Sequence, residues 1–281
     1  MSLPDPETVV ARARDTDPDT SDATANVAVT GRVDADAVDR TDEGYVGDTA
    51  GALGRLAAAT AVDEDAAIHY PEPDFAADGP WLVLAPLSGF ASTVSAGVGR
   101  ADVTLDYDAD ADPHSDRLDA LVSDLLEASR PTHEHYPVAD DDSGVFTRGM
   151  TTFALDSLSV DDDLTATFEV STTPATRPSD VESRFASVER VRAVDYETVA
   201  GVERRDPSPA LRDAVESAHR SERGDCEYDW LPDPGVFAAI PGGEKVAFGT
   251  GRPGEGEFAK TEFEACRDLL AAVLSAPEVV A

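Results

Sequence analysis

Lysine is almost missing from this sequence, and positive charge of any kind is scarce. The 281 residues contain 22 Lys and Arg against 57 Asp and Glu, which gives a formal net charge of −35. The lysines are Lys245 and Lys260. Nucleic-acid binding depends on Lys and Arg side chains that neutralise phosphates. Because the sequence has no basic patch, we predict no nucleic-acid partner.

Long apolar runs and cysteines are also scarce. No apolar segment approaches the length that spans a bilayer, and the N-terminus lacks the apolar region of a secretory signal. We therefore predict a cytoplasmic protein with no membrane partner. Cys226 and Cys266 form no CxxC motif, which fits two inert thiols in a reducing compartment.

Acidic residues, by contrast, are spread along the whole chain. Charge of this density repels itself in ordinary salt and destabilises the compact state. In about 1 M salt the Debye length falls to roughly 3 Å, so the repulsion is screened. The acidic, lysine-poor and alanine-rich composition is typical of a halophilic protein from a salt-rich cytoplasm. Hydrophobic residues make up 41% of the chain, enough for a globular core.

The most unusual local stretch is GYVGDTAGALGRLAAAT, residues 44–60, with four glycines before an alanine-rich run. It matches neither GxxxxGK[ST], which cradles phosphates, nor the dinucleotide pattern GxGxxG. The residue pattern alone predicts a loop over 34–54 that enters a helix over 53–62.

Two kinds of pattern divide the chain. The middle predicts a β-α-β-β-α-β order with one or two strands at its start. The strands are expected at 92–109, 146–160, 164–174 and 191–202, and the helices at 115–130 and 179–188. The flanks predict α/β structure, with strands at 26–33, 81–87, 235–240 and 245–249 and helices at 208–221 and 261–274. We expect an acidic extension at 1–25, an α/β layer domain formed by 26–90 and 191–281, and an inserted domain at 91–190.

Several motifs occur in an order that resembles a known family. They are TGRVDA (30–35), the glycine-rich stretch, LVLAPLSGF (82–90), GVGRADVTLDY (97–107), His114-Ser115 and FGTGRPGEGEFAKTEFEA (248–265). Together they resemble the zinc-dependent aminoacylase and acetylornithine deacetylase family of metallopeptidases. Within it, the archaeal hydrolases that release lysine or ornithine from a carrier protein are most similar. The resemblance implies an α/β/α aminopeptidase-like layer domain with an inserted ferredoxin-like α+β lid and dimerisation domain.

The family hydrolyses amide bonds with zinc, but the expected ligands are missing here. By the resemblance, Arg32 stands where the first ligand histidine is expected, and Gly51 where the bridging aspartate is expected. Pro86 replaces a ligand carboxylate, and Lys260 replaces a histidine of the closing loop. A guanidinium cannot be deprotonated in a protein and cannot bind zinc. We therefore predict no metal centre and no cofactor.

Some site residues of the family pattern remain. Asp34 and His114 are vestigial catalytic candidates, and Asp229 is a candidate contact for a substrate amine. An alternative is a rebuilt zinc site around Asp34, Asp48, Glu72 and His114, which would make the chain an active hydrolase.

His133 and His135, in THEHYP, could suggest a metal-binding pair. They follow a proline and have no third ligand nearby in the sequence. The pattern therefore predicts a solvated loop.

These observations leave three hypotheses. The first is a degenerate amidohydrolase-like protein that acts by binding or regulation in lysine or arginine biosynthesis. Its partners would be an active paralogue, a small amino-acid-like ligand, or a second copy joined through the inserted domain. The second is an active metal-dependent amide hydrolase, which would need zinc. The third is an unrelated acidic α/β protein in which the motifs are coincidental.

Overall fold

A computed structural model describes residues 3–15, 25–62, 66–70, 80–107, 115–137, 146–160, 163–205, 207–231, 236–240, 243–252, 254 and 256–276. The strands are β1 (Ala25–Val29), β2 (Val38–Arg40), β3 (Gly44–Gly47), β4 (Ala66–His69), β5 (Trp81–Leu84), β6 (Ala91–Ser92), β7 (Val94–Ser95), β8 (Gly97–Leu105), β9 (Thr132–Pro137), β10 (Phe146–Val160), β11 (Leu164–Thr172), β12 (Val191–Ala200), β13 (Glu203–Arg204), β14 (Lys245–Phe248) and β15 (Glu257–Ala259). The helices are α1 (Pro6–Asp15), α2 (Ala50–Ala59), α3 (Ser115–Ala128), α4 (Pro178–Ala186), α5 (Pro209–Arg223), α6 (Val236–Ala239) and α7 (Lys260–Leu274). None of the helices in these ranges is long and apolar enough to cross a membrane.

One sheet is mostly parallel and is buried on both faces. Its strand order is β4-β1-β5-β14-β6, and only β6 runs antiparallel to its neighbour. Every residue of β1, β5 and β14 is buried. Such strands appear in a sequence as short continuous apolar runs, which is why WLVL and KVAF were recognisable as strands. One face packs against α2, α5 and α7, and Phe237 and Ile240 belong to the cluster on the other.

The second large sheet is antiparallel and covered on one face. Its strand order is β12-β8-β11-β10-β9. Buried and more exposed residues alternate along β8, as expected for a sheet with one solvated face. Phe168 and Phe185 form the centre of its core, together with side chains from α3 and α4. Because β12 pairs with β8 along its whole length, the sheet continues past residue 190, the predicted end of the insertion.

The glycine-rich stretch is a strand and a helix, so the predicted loop over 34–54 is wrong. Gly44–Gly47 forms β3, which pairs with β2 and β15, and α2 begins at Ala50. A Cβ on Gly44 would lie 2.4 Å from the Phe258 carbonyl oxygen, and one on Gly54 would lie 2.0 Å from Phe258 Cδ1. These glycines therefore allow neighbouring elements to approach closely and do not form a phosphate cradle.

Three other local predictions are corrected. Thr132–Pro137 is a strand paired with β10, although a loop was expected around THEHYP, because tertiary pairing outweighs the local polarity. Val236–Ala239 is a short helix and not a strand. The helix expected from residue 179 begins at Pro178, and the Asp180 carboxylate accepts the Arg177 N–H at 3.3 Å.

Candidate functional site at the carboxyl edge of the parallel sheet

Three strands of the parallel sheet end at the same level. Val29 pairs with Leu84, and Leu84 pairs with Phe248, so the segments that follow β1, β5 and β14 meet at one edge. Open parallel sheets in α/β proteins bind their ligands outside the carboxyl ends of the strands. The predicted positions Arg32, Asp34 and Pro86 all lie in these segments.

The loops at this edge are joined to each other by short backbone hydrogen bonds. The Ser88 N–H donates to the Gly251 carbonyl oxygen at 2.9 Å, and the Gly89 N–H donates to Gly249 at 2.7 Å. Gly249 has a φ of +146°, and a Cβ there would lie 2.5 Å from the Ala85 carbonyl oxygen. The segments after β5 and β14 are therefore packed backbone against backbone.

The guanidinium of Arg55, from α2, lies at the same edge. Arg55 is only 4% exposed. Its Nη2 donates to the carbonyl oxygen of Thr30, the residue just after β1, at 3.3 Å. Cβ atoms placed on Gly31, Gly51 and Gly251 would lie 3.9, 3.4 and 3.7 Å from its terminal nitrogens. The three glycines therefore lie directly beside the guanidinium, at distances of ordinary van der Waals contact.

The segment after β14 is also bonded to helix α7 at this edge. Thr250 Oγ1 donates to the Glu262 carbonyl oxygen at 2.8 Å. Cys266 is fully buried, and burial raises the pKa of its thiol although the Arg55 charge lowers it. Burial also raises the pKa of Cys226, to about 12. Both cysteines are free thiols, and burial makes each of them harder to deprotonate.

Arg32 and Asp34 lie together in a cavity of 380 Å³ between α1 and the segment after β1. Arg32 is exposed, and Asp34 is half-buried. The Asp34 carboxylate accepts the Asp36 N–H at 3.3 Å and begins a 3₁₀ turn, Ala35–Ala37. Asp34 therefore has a local capping role in the described structure.

The other predicted residues are not brought to this cavity. Pro86 is half-buried directly after β5. The Lys260 N–H donates to the Glu43 carbonyl oxygen at 2.6 Å, which ties the start of α7 to the turn before β3. The Asp229 carboxylate accepts the Trp230 N–H at 2.9 Å, and the Asp229 N–H donates to Ala91.

The alternative zinc site is only partly covered by the described residues. Asp48 is exposed, and Asp34 has the capping contact given above. Glu72 and His114 lie outside the described residues. His133 is exposed on β9. Among the residues that the structure describes, no group of three or more His, Cys, Asp and Glu side chains could hold a metal ion.

Comparison with known proteins gives matches at the level of structure. No protein-family model matches the sequence, and no curated protein matches it. Aminopeptidase PepT from Bacillus cereus ATCC 10987 is similar with a TM-score of 0.52 at 10% identity, over 94% of this chain and 83% of that chain. Sso-CP2, an M20 family metallo-carboxypeptidase from Sulfolobus solfataricus, gives 0.47 at 9% identity, over 93% and 86%. YXEP from Bacillus subtilis, a dinuclear metal-binding peptidase of the M20 family, gives 0.45 at 10%, over 98% and 92%.

The chain therefore has a mixed α/β fold like that of the aminopeptidase PepT. At 10% identity the likeness is one of fold, and function has to be argued from the residues of this chain. The described residues at the sheet edge do not fit a zinc ion. They place a buried guanidinium beside Gly51, the position where the resemblance leads one to expect the bridging aspartate. A guanidinium keeps its proton, repels a divalent cation and offers no lone pair.

Arg55 was missed by the sequence reasoning. The family pattern points to the positions where metal ligands are expected, and Arg55 is not one of them. One signal was available: Arg55 is the single charged residue in the helix AGALGRLAAA. An arginine in an otherwise apolar helix is usually either exposed or held by a specific contact.

Proposed function

We propose that this chain is a metal-free relative of the zinc amidohydrolases that acts by binding and not by hydrolysis. One observation carries the proposal: the Arg55 guanidinium is buried at the carboxyl edge, hydrogen-bonded to Thr30 and enclosed by Gly31, Gly51 and Gly251. Zinc chemistry needs lone pairs from His and carboxylate side chains around an open position. In this chain a fixed positive charge lies beside Gly51, which supports the absence of a metal centre.

Hydrolysis assays test the proposal directly. The protein, kept in molar KCl, is incubated with N-acetylated amino acids, dipeptides, and acylated lysine and ornithine, with added Zn²⁺ or Co²⁺. We expect no release of amine above the rate in buffer. Turnover that depends on the metal and is lost on chelation would show that the alternative, an active amide hydrolase with a rebuilt site, is correct.

We further propose that the antiparallel sheet is a ferredoxin-like lid. Its elements follow the order β8-α3-β10-β11-α4-β12, and the strands lie in the order fourth, first, third, second, with β9 added beside β10. This arrangement supports the β-α-β-β-α-β interpretation.

The same sheet is the proposed surface for a homodimer. Pairing with β9 ends at Thr151, and among the described residues no strand covers that edge of Thr152–Val160. Leu155, Leu158 and Val160 are exposed there. An uncovered strand edge with apolar side chains favours pairing with another chain. Sedimentation velocity should show a dimer that Leu158→Asp dissociates, whereas Val199→Asp, on the exposed β12, leaves it intact.

The cellular setting rests on composition and resemblance. We propose a cytoplasmic protein that works in concentrated salt, because a net charge of −35 is tolerated where salt screens it. The resemblance supports a role next to lysine or arginine biosynthesis, with an active paralogue or a small amino-acid-like molecule as the partner.

A further inference from the structure

The cavity between α1 and the segment after β1 has the dimensions of a ligand site. Its volume is 380 Å³, and pockets for small molecules occupy about 300–1,000 Å³. It lies beside the carboxyl end of β1, where parallel sheets offer their binding crevices. Its lining residues are Glu7, Val10, Ala11, Arg14, Arg32, Val33, Asp34, Ala35 and Asp36.

Helix α1 forms one wall and is anchored from behind. Its lining residues follow the spacing i, i+3, i+4 and i+7 and therefore share one face. Val9 and Ala13, on the opposite face, are buried in the core. Just before the helix, Tyr45 Oη donates to the Pro4 carbonyl oxygen at 2.7 Å, and Arg40 Nη1 donates to Leu3 at 3.1 Å.

The opposite wall is fixed by side chains from other elements. The Val33 N–H donates to Tyr70 Oη at 2.7 Å, and the Asp34 N–H donates to Thr49 Oγ1 at 3.1 Å. The Thr49 hydroxyl donates back to the Asp34 carbonyl oxygen at 3.2 Å. Both walls are therefore held in place without a ligand, which reduces the entropy lost on binding.

The charges on the two walls are of both signs. Arg14 and Arg32 make no ion pair or hydrogen bond with any residue that the structure describes, although the cavity also presents Glu7 and Asp36. Unpaired guanidinium groups bind carboxylates well, often through two parallel hydrogen bonds. The carboxylates of Glu7 and Asp36 accept hydrogen bonds from an ammonium group.

We propose that this cavity binds a free amino acid with an apolar side chain. The ligand carboxylate contacts Arg14 and Arg32, and its ammonium group contacts Glu7 or Asp36. Glu7 and Asp36 on the same walls disfavour a purely anionic ligand, whereas a zwitterion can pair with both signs of charge. Val10, Ala11, Val33 and Ala35 provide the apolar surface for the side chain. This ligand assignment rests on the proposed function, namely that the chain binds a small molecule and does not hydrolyse it.

Isothermal titration with L-leucine in molar KCl and EDTA tests the site. We expect saturable binding with a Kd on the order of 0.1–1 mM, as a ligand of this size in a polar cavity allows. Isocaproate is leucine without the ammonium group, and isoamylamine is leucine without the carboxylate, so each should bind at least about tenfold more weakly than leucine. Because EDTA removes any bound metal, the titration measures leucine binding alone. The result therefore stays interpretable even if the protein proves to bind zinc.

Substitutions of the two arginines test whether leucine binds in this cavity. Arg14→Gln and Arg32→Gln should each weaken leucine binding about tenfold, because each removes a charge-assisted hydrogen bond. Arg130→Gln, an exposed arginine paired with Glu127 in the other sheet region, is the matched control and should leave binding unchanged. Near-ultraviolet circular dichroism checks that each variant is folded.

Three results would overturn the proposal. They are the absence of saturable leucine binding, binding by the folded Arg14→Gln and Arg32→Gln variants that is as tight as that of the natural sequence, and isocaproate binding as tight as that of leucine. The last result would indicate a simple anion site.

Discussion

The parallel sheet and the antiparallel sheet differ in how much of their surface is buried. Every residue of β5 and β14 is buried, whereas β12 is mostly exposed and β8 alternates. The first region buries its strands and, at their carboxyl edge, the Arg55 guanidinium. The second leaves one face and a strand edge in solvent. The candidate binding cavity therefore belongs to the region of the parallel sheet, and the candidate association surface to the antiparallel sheet.

The two sheets have separate hydrophobic cores, and a substitution in one core should leave the other intact. Phe168 is fully buried against Phe185, with ring centroids 4.7 Å apart, in a cluster that shares no residue with the clusters of the parallel sheet. Phe168→Ala should cost about 3–5 kcal/mol of unfolding free energy because it leaves a cavity. Hydrogen exchange should show lost protection in β8 and β11, with β1, β5 and β14 still protected.

Phe248→Ala is the matched change in the core of the parallel sheet, where Phe248 is fully buried. It should give the reverse pattern of exchange. If either variant lowered protection equally in both sheets, the chain would unfold as one cooperative unit, and the division into two regions would not describe its stability.

The two regions should also differ in how much a single arginine contributes to the free energy of unfolding. Arg55→Met removes the buried donor to the Thr30 carbonyl oxygen and should cost about 1–3 kcal/mol. Arg100→Met, in β8, removes an exposed ion pair with Asp102 at 3.2 Å and should change stability by about 0–1 kcal/mol. Denaturant titrations in molar KCl measure both. An equal effect of the two substitutions, or a gain in stability from Arg55→Met, would contradict the structural role assigned to Arg55.

A smaller effect is expected in how the stability of the folded chain depends on pH. His219, in α5, is fully buried, and burial lowers its pKa from the ordinary value of 6.5. Because the unfolded chain then takes up a proton more readily than the folded one, stability is full above about pH 6.5 and falls as the pH drops below it. His219→Gln should reduce this slope by at most about 1.4 kcal/mol per pH unit.

Denaturant titrations of His219→Gln between pH 7.5 and pH 5 check the slope. His133→Gln, which replaces an exposed histidine of β9, is the control. An unchanged slope in His219→Gln, or an equal change in both variants, would show that burial of His219 does not set the pH dependence. Molar KCl is needed in all samples, because it screens the repulsion among the carboxylates.

Much of the fold could be predicted from hydrophobic periodicity. Helices α3, α5 and α7 were expected within two residues of where they begin, since each has an apolar stripe and Ser208 caps α5 by accepting the Leu211 N–H. The segments that were wrong depend on distant partners. β3 exists because β2 and β15 pair with it, and β9 exists because β10 does, neither of which is visible in a local window.

The candidate site could be predicted less well. Alignment to the family pattern led to Arg32 and Asp34, which share a cavity, but it could not show that α1 forms the opposite wall. The surroundings of Arg55 are visible only in the three-dimensional structure, because Thr30 and Gly31 follow β1 whereas Gly251 follows β14. The predicted roles of His114 and Glu72 stay predictions, because both residues lie outside the described part of the chain.

The content of bound metal tests the central claim most directly. The protein is purified in molar KCl, soaked with Zn²⁺ or Co²⁺, desalted and measured by elemental mass spectrometry, with Arg55→Met measured alongside. A guanidinium at the sheet edge predicts less than about 0.1 equivalent of metal in the natural sequence. About one or two equivalents, retained after desalting, would contradict the account and identify the chain as a metal-binding member of this fold.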